Sequence, residues 1–448
     1  MRQRPPTPNS GDPWAPYVPD EAAPWDLRRV VHLHRCGGFA ATWDELHRDL
    51  KDGPEASVGR ILEGKSRSQG VPDDFAEIAD RLADLALAAP EPNRLKGWWV
   101  YRMLCGPDPL AERLTLMWHN HFATSNLKVN DLSLMHRQNE TLRSLCRSPF
   151  GRLLRAMLRD PALLLWLDAP VNTKGHPNEN LGRELLELFT LGVGAYSEED
   201  VKQAARALTG WRMVGDEVRF LPTRHDAGPK TILGRTDRFE ADTLAALLLE
   251  HPATSRRLAW RLCHEFLGEG AYSASAIDAL AEGLRAHDLD IGSGVATVLR
   301  SRAFFGAENL GRRVSSPVEF VVGAVRALEV LDPPPSTPVL ADWCARLGQD
   351  LFSPPNVGGW PGGRSWITTR SAIGRANFAA ALVEGESVGL SAPLDLLALA
   401  AKHGQSRDPS FFARLLLGAD GPRIPHEGGI EVRRAVARLL ASPAGQRA

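Results

Sequence analysis

The sequence predicts a mainly α-helical, multi-helical globular protein with one small inserted β-hairpin. Three observations carry that expectation. Apolar residues recur at i, i+3 and i+4 spacing almost without interruption from Trp25 onward, the period of helices with one buried face. Helix-start signals stand at several of the expected boundaries. Only one stretch, Glu217 to Gly234, reads as strand, with β-branched or aromatic runs either side of a turn-rich centre.

Taken in order, residues 1–24 form a proline-rich, polar arm, expected to be flexible. A main helical domain over 25–385 follows. Its predicted helices are Asp26–Leu33, Thr42–Asp49, Glu55–Leu62, Asp73–Ala88, Arg94–Leu104, Pro109–His121, Asp131–Cys146, Pro149–Leu158, Glu179–Leu191 and Glu198–Leu208. Beyond the hairpin come Glu240–Leu249, Ser255–Phe266, Ala274–His287, Ile291–Leu299 and Pro317–Val330. Asp108-Pro109 supplies an N-cap and a proline at the first helical position. Ser197 with Glu198, Glu199 and Asp200 places a hydroxyl at the cap and acids in the first turn, where the helix dipole favours them. Leu191-Gly192 closes the preceding helix. The segment "LDPPPSTP" is a stiff connector, and "FSPPNVGGWPGG" excludes regular structure through its prolines and glycines. Residues 386–448 add two or three C-terminal helices packing on the main domain.

Composition narrows the function classes. The chain has 448 residues, 43% hydrophobic and 24% charged, with a formal net charge of -1. Bulk electrostatics therefore favours neither nucleic acid nor an anionic membrane. Five cysteines, odd in number and scattered, make neither a disulfide framework nor a CxxC zinc site. No run of apolar residues is long enough for a transmembrane helix, and no secretory signal is evident, so a cytoplasmic location is expected. The absence of a Walker loop, a GxGxxG and a GxSxG disfavours an NTPase, a dinucleotide enzyme and an α/β-hydrolase.

The candidate chemistry begins with "PNENLGRELLELFTLG", Pro177 to Gly192. On a helical wheel Arg183, Glu187, Asn180, Glu184 and Thr190 share one side with Glu179, opposite Leu181, Leu185, Leu186, Leu188 and Phe189. Ordinary i, i+4 ion pairs on a solvated face explain this pattern. So does a site, because Glu184 and Glu187 at i, i+3 are close enough to share a cation beside Arg183. "LTLMWHNHFATSN" adds His119, Asn120 and His121 between Trp118 and Phe122. In a continuous helix residues i and i+2 point about 200° apart, so the two imidazoles serve one metal ion only if the helix ends at Trp118. Otherwise His121 faces inward as a core histidine and His119 faces elsewhere. His225 and Asp226 with Lys230 lie in the hairpin's turn, where aspartate is common for conformational reasons alone. As chemistry, the trio would make an acid/base or phosphate-binding unit.

These stretches together resemble the bacterial family catalogued as domain of unknown function 1800. The matching pieces are "DLRRVVHLHRCGGFAATWDEL", "PLAERLTLMWHNHFATS", "NENLGRELLELFTLGVGAYSEEDVKQAARALTGW", "RHDAGPKTILG", "SSPVEFVVGAVRAL" and "GQDLFSPPNVGGWPGG". The closing "RRAVARLLASPAGQRA" resembles the family's C-terminal end. Cys36-Gly37-Gly38 departs from the usual pattern. The resemblance implies common motif positions at His119, Asn120, His121, Asn178, Glu179, Asn180, Arg183, Glu184, Glu187, Thr209, Gly210, Trp211, His225 and Asp226. It carries no settled activity. It implies by association a partner, a sulfatase-like protein of family 1501 encoded nearby, and an export route with that partner.

Two readings follow. The first is an enzyme of hydrolysis or group transfer with a polar, metal-assisted site. Glu184 and Glu187 would be base or ligands of a divalent metal, with His119 and His121 as further ligands. Arg183 would hold an anionic group, and His225 and Asp226 would complete the catalytic set. Asn120, Asn178, Asn180, Trp211 and Lys230 would bind substrate. The second is a non-catalytic binding or maturation partner of the sulfatase-like protein, with Trp343, Trp360 and Trp366 as interface anchors.

Overall fold

A computed structural model describes residues 12–89, 91–425 and 427–448. Among these the chain forms 22 α-helices and only two small two-stranded sheets, so the protein is mainly α. None of the helices is long and apolar enough to cross a membrane.

The caps read from sequence act as caps. Asp108 accepts from the Ala111 amide at 2.9 Å and starts Pro109–His121. Ser197 and Asp200 form a reciprocal capping box on Glu198–Ala207. The predicted helices Thr42–Asp49 and Glu55–Leu62 meet in one element, Trp43–Leu62, kinked where Gly53 adopts φ +86° ahead of Pro54. Thr337–Arg346 and Thr369–Glu384 are helices beyond those predicted.

The β region differs from expectation in its pairing. The runs 217–220 and 230–232 do not pair with each other. Trp211–Val214 (β1) pairs with Glu217–Phe220 (β2), and Lys230–Ile232 (β3) pairs with Arg235–Asp237 (β4), both antiparallel. Each hairpin closes on a two-residue turn, Gly215-Asp216 or Leu233-Gly234. Gly215, Leu233 and Gly234 take positive φ, the geometry that matches strand twist in tight hairpins. Local turn chemistry thus outcompetes closure of a longer loop.

The arm also departs from expectation within the described residues. Residues 12–24 run along the fold rather than free of it. Trp14 Nε1 donates to Ala276 O at 2.8 Å, the Tyr17 amide donates to Arg300 O at 2.8 Å, and the Tyr17 ring lies 4.6 Å from that of Phe305. Aromatic burial supplies the anchoring. Residues 1–11 of the predicted arm lie outside the described residues.

Two hydrophobic clusters organise the interior. One gathers Pro92–Cys105, Pro317–Ala327, Thr337–Arg346, Thr369–Glu384 and the C-terminal helices. The other gathers Pro109–His121, Phe150–Met157, the 180–208 region and the helices from Ala241 to Phe305. Charged side chains fill part of the seam between them. There Arg113 on the second side meets Glu319 on the first.

Candidate functional site: an arginine-lined cavity on the seam

All but one of the predicted site residues fall into three separate places. Pro109–His121 stays helical through His121, so His119 and His121 diverge. His121 is buried among Trp118, Phe122, Phe150 and Phe189. Its Nε2 lies 3.1 Å from Phe189 O and, facing a carbonyl, must donate. The histidine thereby satisfies a carbonyl near the end of the helical segment, which closes at Gly192 with φ +85°. Burial first, then Arg261 and Arg257, push its pKa well below the ordinary value. His119 is fully buried in a box of Trp99, Phe352 and Trp360, with ring centroids 5.0–5.6 Å apart across the group. Neither of its nitrogens has a hydrogen-bond partner among the described residues, and burial lowers its pKa to about 3. It is a neutral, aromatic packing element.

The second place is the segment predicted as one regular helix, Glu179–Leu191. It is α-helical over Asn180–Glu184 and then widens to a π-helical turn, Leu185–Thr190. The Leu191 amide reaches back to Leu186 O at 2.8 Å, and Thr190 Oγ1 donates to Leu185 O at 2.6 Å. Such turns rotate the side chains after them relative to an ideal wheel. Arg183 is not available to a ligand as expected. It pairs with Glu179 at 3.2 Å and in a fork with Glu198 at 2.8 Å, tying its helix to the first turn of Glu198–Ala207. Glu187 accepts from the Tyr196 hydroxyl. Glu184 is half-buried, and burial followed by the charge of Glu187 raises its pKa. Asn178 and Asn180 order the preceding loop. The Asn178 amide donates to Asn172 Oδ1 at 2.9 Å, and Asn180 Nδ2 donates to Asp168 Oδ2 at 2.9 Å. Asn172, which sequence reasoning passed over, is fully buried and also donates to Ala205 O.

The third place is the link between the hairpins. His225 Nδ1 lies 3.0 Å from Thr209 O, Asp226 accepts from Arg206 Nε at 2.7 Å, and buried Lys230 donates to the carbonyls of Asp226 and Gly228. Trp211 packs edge-on against Phe220. Asp226 ties this link to Arg206 of Glu198–Ala207, His225 Nδ1 faces Thr209 just beyond that helix, and Lys230 bonds carbonyls of the link itself. The expected metal set fails on geometry as well. Among the described residues no three His, Cys, Asp or Glu side chains converge as ligands, so His119, His121, Glu184 and Glu187 do not form one centre.

A concavity lies elsewhere, on the seam. It encloses about 890 Å³ between Pro109–His121, Pro252–Phe266, the 306–316 segment, the 349–372 loop region and the C-terminal residues 441–447. Six arginines line it, Arg113, Arg261, Arg312, Arg313, Arg364 and Arg447, against four glutamates, Glu265, Glu269, Glu308 and Glu319. Deep in the wall, Arg113 pairs with Glu265 at 2.5 Å and with Glu319, and Arg313 pairs with Glu319 at 2.8 Å. Burial resists ionisation of Glu265, but Arg113, Arg313 and Arg261 outweigh it and hold the carboxyl below its ordinary value. Among the described residues, Arg261, Arg312, Arg364 and Arg447 pair with no carboxylate. Arg261 donates only to Met117 O, at 2.9 Å, and Arg312 to Gly270 O. Burial lowers Arg261 to about 10, so it stays charged at neutral pH in a setting that leaves its charge under-compensated.

One predicted residue belongs here. Asn120 lines the cavity, and its Oδ1 accepts from the Trp360 amide at 2.7 Å. Gly359 presses so closely on Asn120 that a Cβ would sit 2.1 Å from Oδ1, and its φ is +83°. The loop "FSPPNVGGWPGG" is therefore clamped onto "HNH", with Trp360 against His119. Gly362 and Gly363, carried by this loop, form cavity wall against His264 and Glu269. Trp360 and Trp366 are buried, so these two expected interface anchors are spent inside the fold. Arg261, His264 and Arg313 were missed by sequence reasoning. The trace available was the spacing of Arg257, Trp260, Arg261 and His264 at i, i+3, i+4 and i+7, a polar and aromatic stripe on Pro252–Phe266.

Against known proteins, a family model described as "Protein of unknown function (DUF1800)" matches residues 32–446. The chain belongs to this family. No curated protein and no solved structure matches it. The two family motifs that meet at Asn120 and Gly359 both fall within the matched span, and they build one wall of the cavity.

Proposed function

We propose that the protein takes an oxyanion-bearing substrate into the arginine-lined cavity and acts on it there by hydrolysis or group transfer. The observation that carries this reading is the surplus of guanidinium groups. The glutamates deep in the wall are saturated by Arg113 and Arg313, while Arg261 and three rim arginines keep no carboxylate partner among the described residues. Guanidinium forks match carboxylate, phosphate and sulfate oxygens in geometry as well as charge. A seam between two hydrophobic clusters is also a common place for a small-molecule site.

The test is a thermal melt of the protein in inorganic sulfate against sodium chloride of equal ionic strength, beside Arg261→Gln. At about 100 times Kd, binding adds about 2.7 kcal/mol of stability. With about 2.1 cal/mol/K of unfolding entropy per residue, that is a rise in Tm of about 3 °C. The rise is expected in the wild type and diminished in the variant. Equal melting in sulfate and chloride would overturn the reading.

A further inference from the structure

We propose that His264 is the proton-carrying group of the cavity, taking up a proton when an oxyanion binds. The inference rests on the anion-binding reading above and deepens it. The ring of His264 lines the cavity and stacks on Trp260, with centroids 5.1 Å apart and planes 19° from parallel. Arg257 lies over the Trp260 ring 4.8 Å from its centroid, so an ordered stack fixes the imidazole. Across the wall its Nε2 would lie 2.9 Å from a Cβ on Gly362, a position that only a glycine leaves open. No group among the described residues hydrogen-bonds its nitrogens. This sets it apart from His121 and His225, each of which has one ring nitrogen bonded within the fold.

The charges facing His264 decide what it does. On its own helix and just beyond stand Arg261, Glu265 and Glu269, and Arg313 faces it from the 306–316 segment. Burial first, then Arg261, hold the ring below its ordinary pKa, against the pull of Glu265 and Glu269. With the cavity free of ligand, the imidazole is neutral at pH 7. A bound dianion would reverse the local field, favour the imidazolium and draw a proton from solvent. The arginine–glutamate pairs of the deep wall are already charge-matched. The arginines stay charged throughout, and Glu265 is held ionised by Arg113. An imidazolium beside a bound oxyanion can then donate that proton to a leaving oxygen, and a neutral imidazole can accept one from an attacking hydroxyl.

The sign of the linkage follows. Between the pKa of the free ring and the higher pKa of the bound ring the bound state carries about one more proton than the free state, so affinity falls there as pH rises, approaching tenfold per pH unit, and levels off above the pKa of the bound ring. Arginines alone give no such slope between pH 6 and 8.5.

The experiment is calorimetric titration of the full chain with inorganic sulfate, which remains a dianion across this pH range. It is run at constant ionic strength in two buffers of different ionisation heat. Wild type should take up protons with sulfate and lose affinity toward alkaline pH. His264→Gln should keep a pH-independent sulfate affinity with no proton uptake, and Glu269→Gln should keep the uptake. Sulfate binding without proton uptake in wild type, or uptake that persists in a folded His264→Gln, would overturn the proposal while leaving the anion site standing. Absence of sulfate binding altogether would overturn both.

Discussion

Replacing Gly359 by alanine tests whether the clamp between the two family motifs builds the cavity. The new Cβ would lie 2.1 Å from Asn120 Oδ1 and 2.6 Å from Asn120 O, both far inside contact distance. Neither atom can step aside cheaply, because one is backbone and the other holds the Trp360 amide. The loop must therefore lift. Holding a non-glycine residue at φ +83° adds about 1 kcal/mol, and loss of the Trp360 hydrogen bond about another 1. Partial exposure of the Trp360 ring, which is 3% exposed in the native fold, adds about 1–2 more. The sum is about 3–4 kcal/mol, which for this chain length lowers Tm by about 3–4 °C. Scanning calorimetry reads that change. Because Gly362, Gly363 and Arg364 ride on the same loop, sulfate affinity should fall with it. Adding Asn120→Gly removes the side-chain half of the clash and should restore part of the stability. The reasoning fails if Gly359→Ala melts with the wild type and binds sulfate equally well.

Two further predictions concern buried titratable groups. Burial raises Asp160 from 3.8 to about 6 although it accepts from the Leu163 amide and from Gln138 Nε2. Folding therefore favours the protonated acid. Its contribution is complete below pH 4, declines as pH rises from about 4 to 6, and is flat above. Asp160→Asn keeps the cap, should remove that slope from a denaturation series, and should gain up to about 3 kcal/mol at pH 7. A wild-type slope of opposite sign, or one unchanged in the variant, would contradict this. His119→Leu replaces an imidazole whose two nitrogens are buried without partners by an apolar side chain of similar size. Its stability should stay within about 1 kcal/mol of wild type or exceed it, and a loss beyond about 2 kcal/mol would show that the ring does more than fill the aromatic box.

The helices, their caps and their buried faces were legible in the sequence because they are set within a few residues. The i, i+3 and i+4 pattern, Asp108 before Pro109 and Ser197 before Asp200 each act within one turn, and the structure uses them as read. The two turns Gly215-Asp216 and Leu233-Gly234 were equally local signals. Reading them as strand boundaries would have given both hairpins. The widening of Leu185–Thr190 had no such signal, because an extra residue in a turn is selected by what packs around it.

The polar residues divide differently. Sequence placed Glu179, Arg183, Glu184 and Glu187 on one face. Only the fold brought Glu198 to Arg183 and Tyr196 to Glu187, and so turned most of that face into a brace. Sequence left His119 and His121 joint ligands only if the helix ended at Trp118, and the helix runs on through His121. The cavity lay beyond local reading altogether. Its arginines come from positions 113 to 447, and what distinguishes Arg261 from Arg113 is whether a carboxylate from a distant segment arrives beside it. Composition determined a near-neutral protein, but the distribution of that charge, with its surplus of guanidinium on one seam, was decided by tertiary contacts among residues hundreds of positions apart.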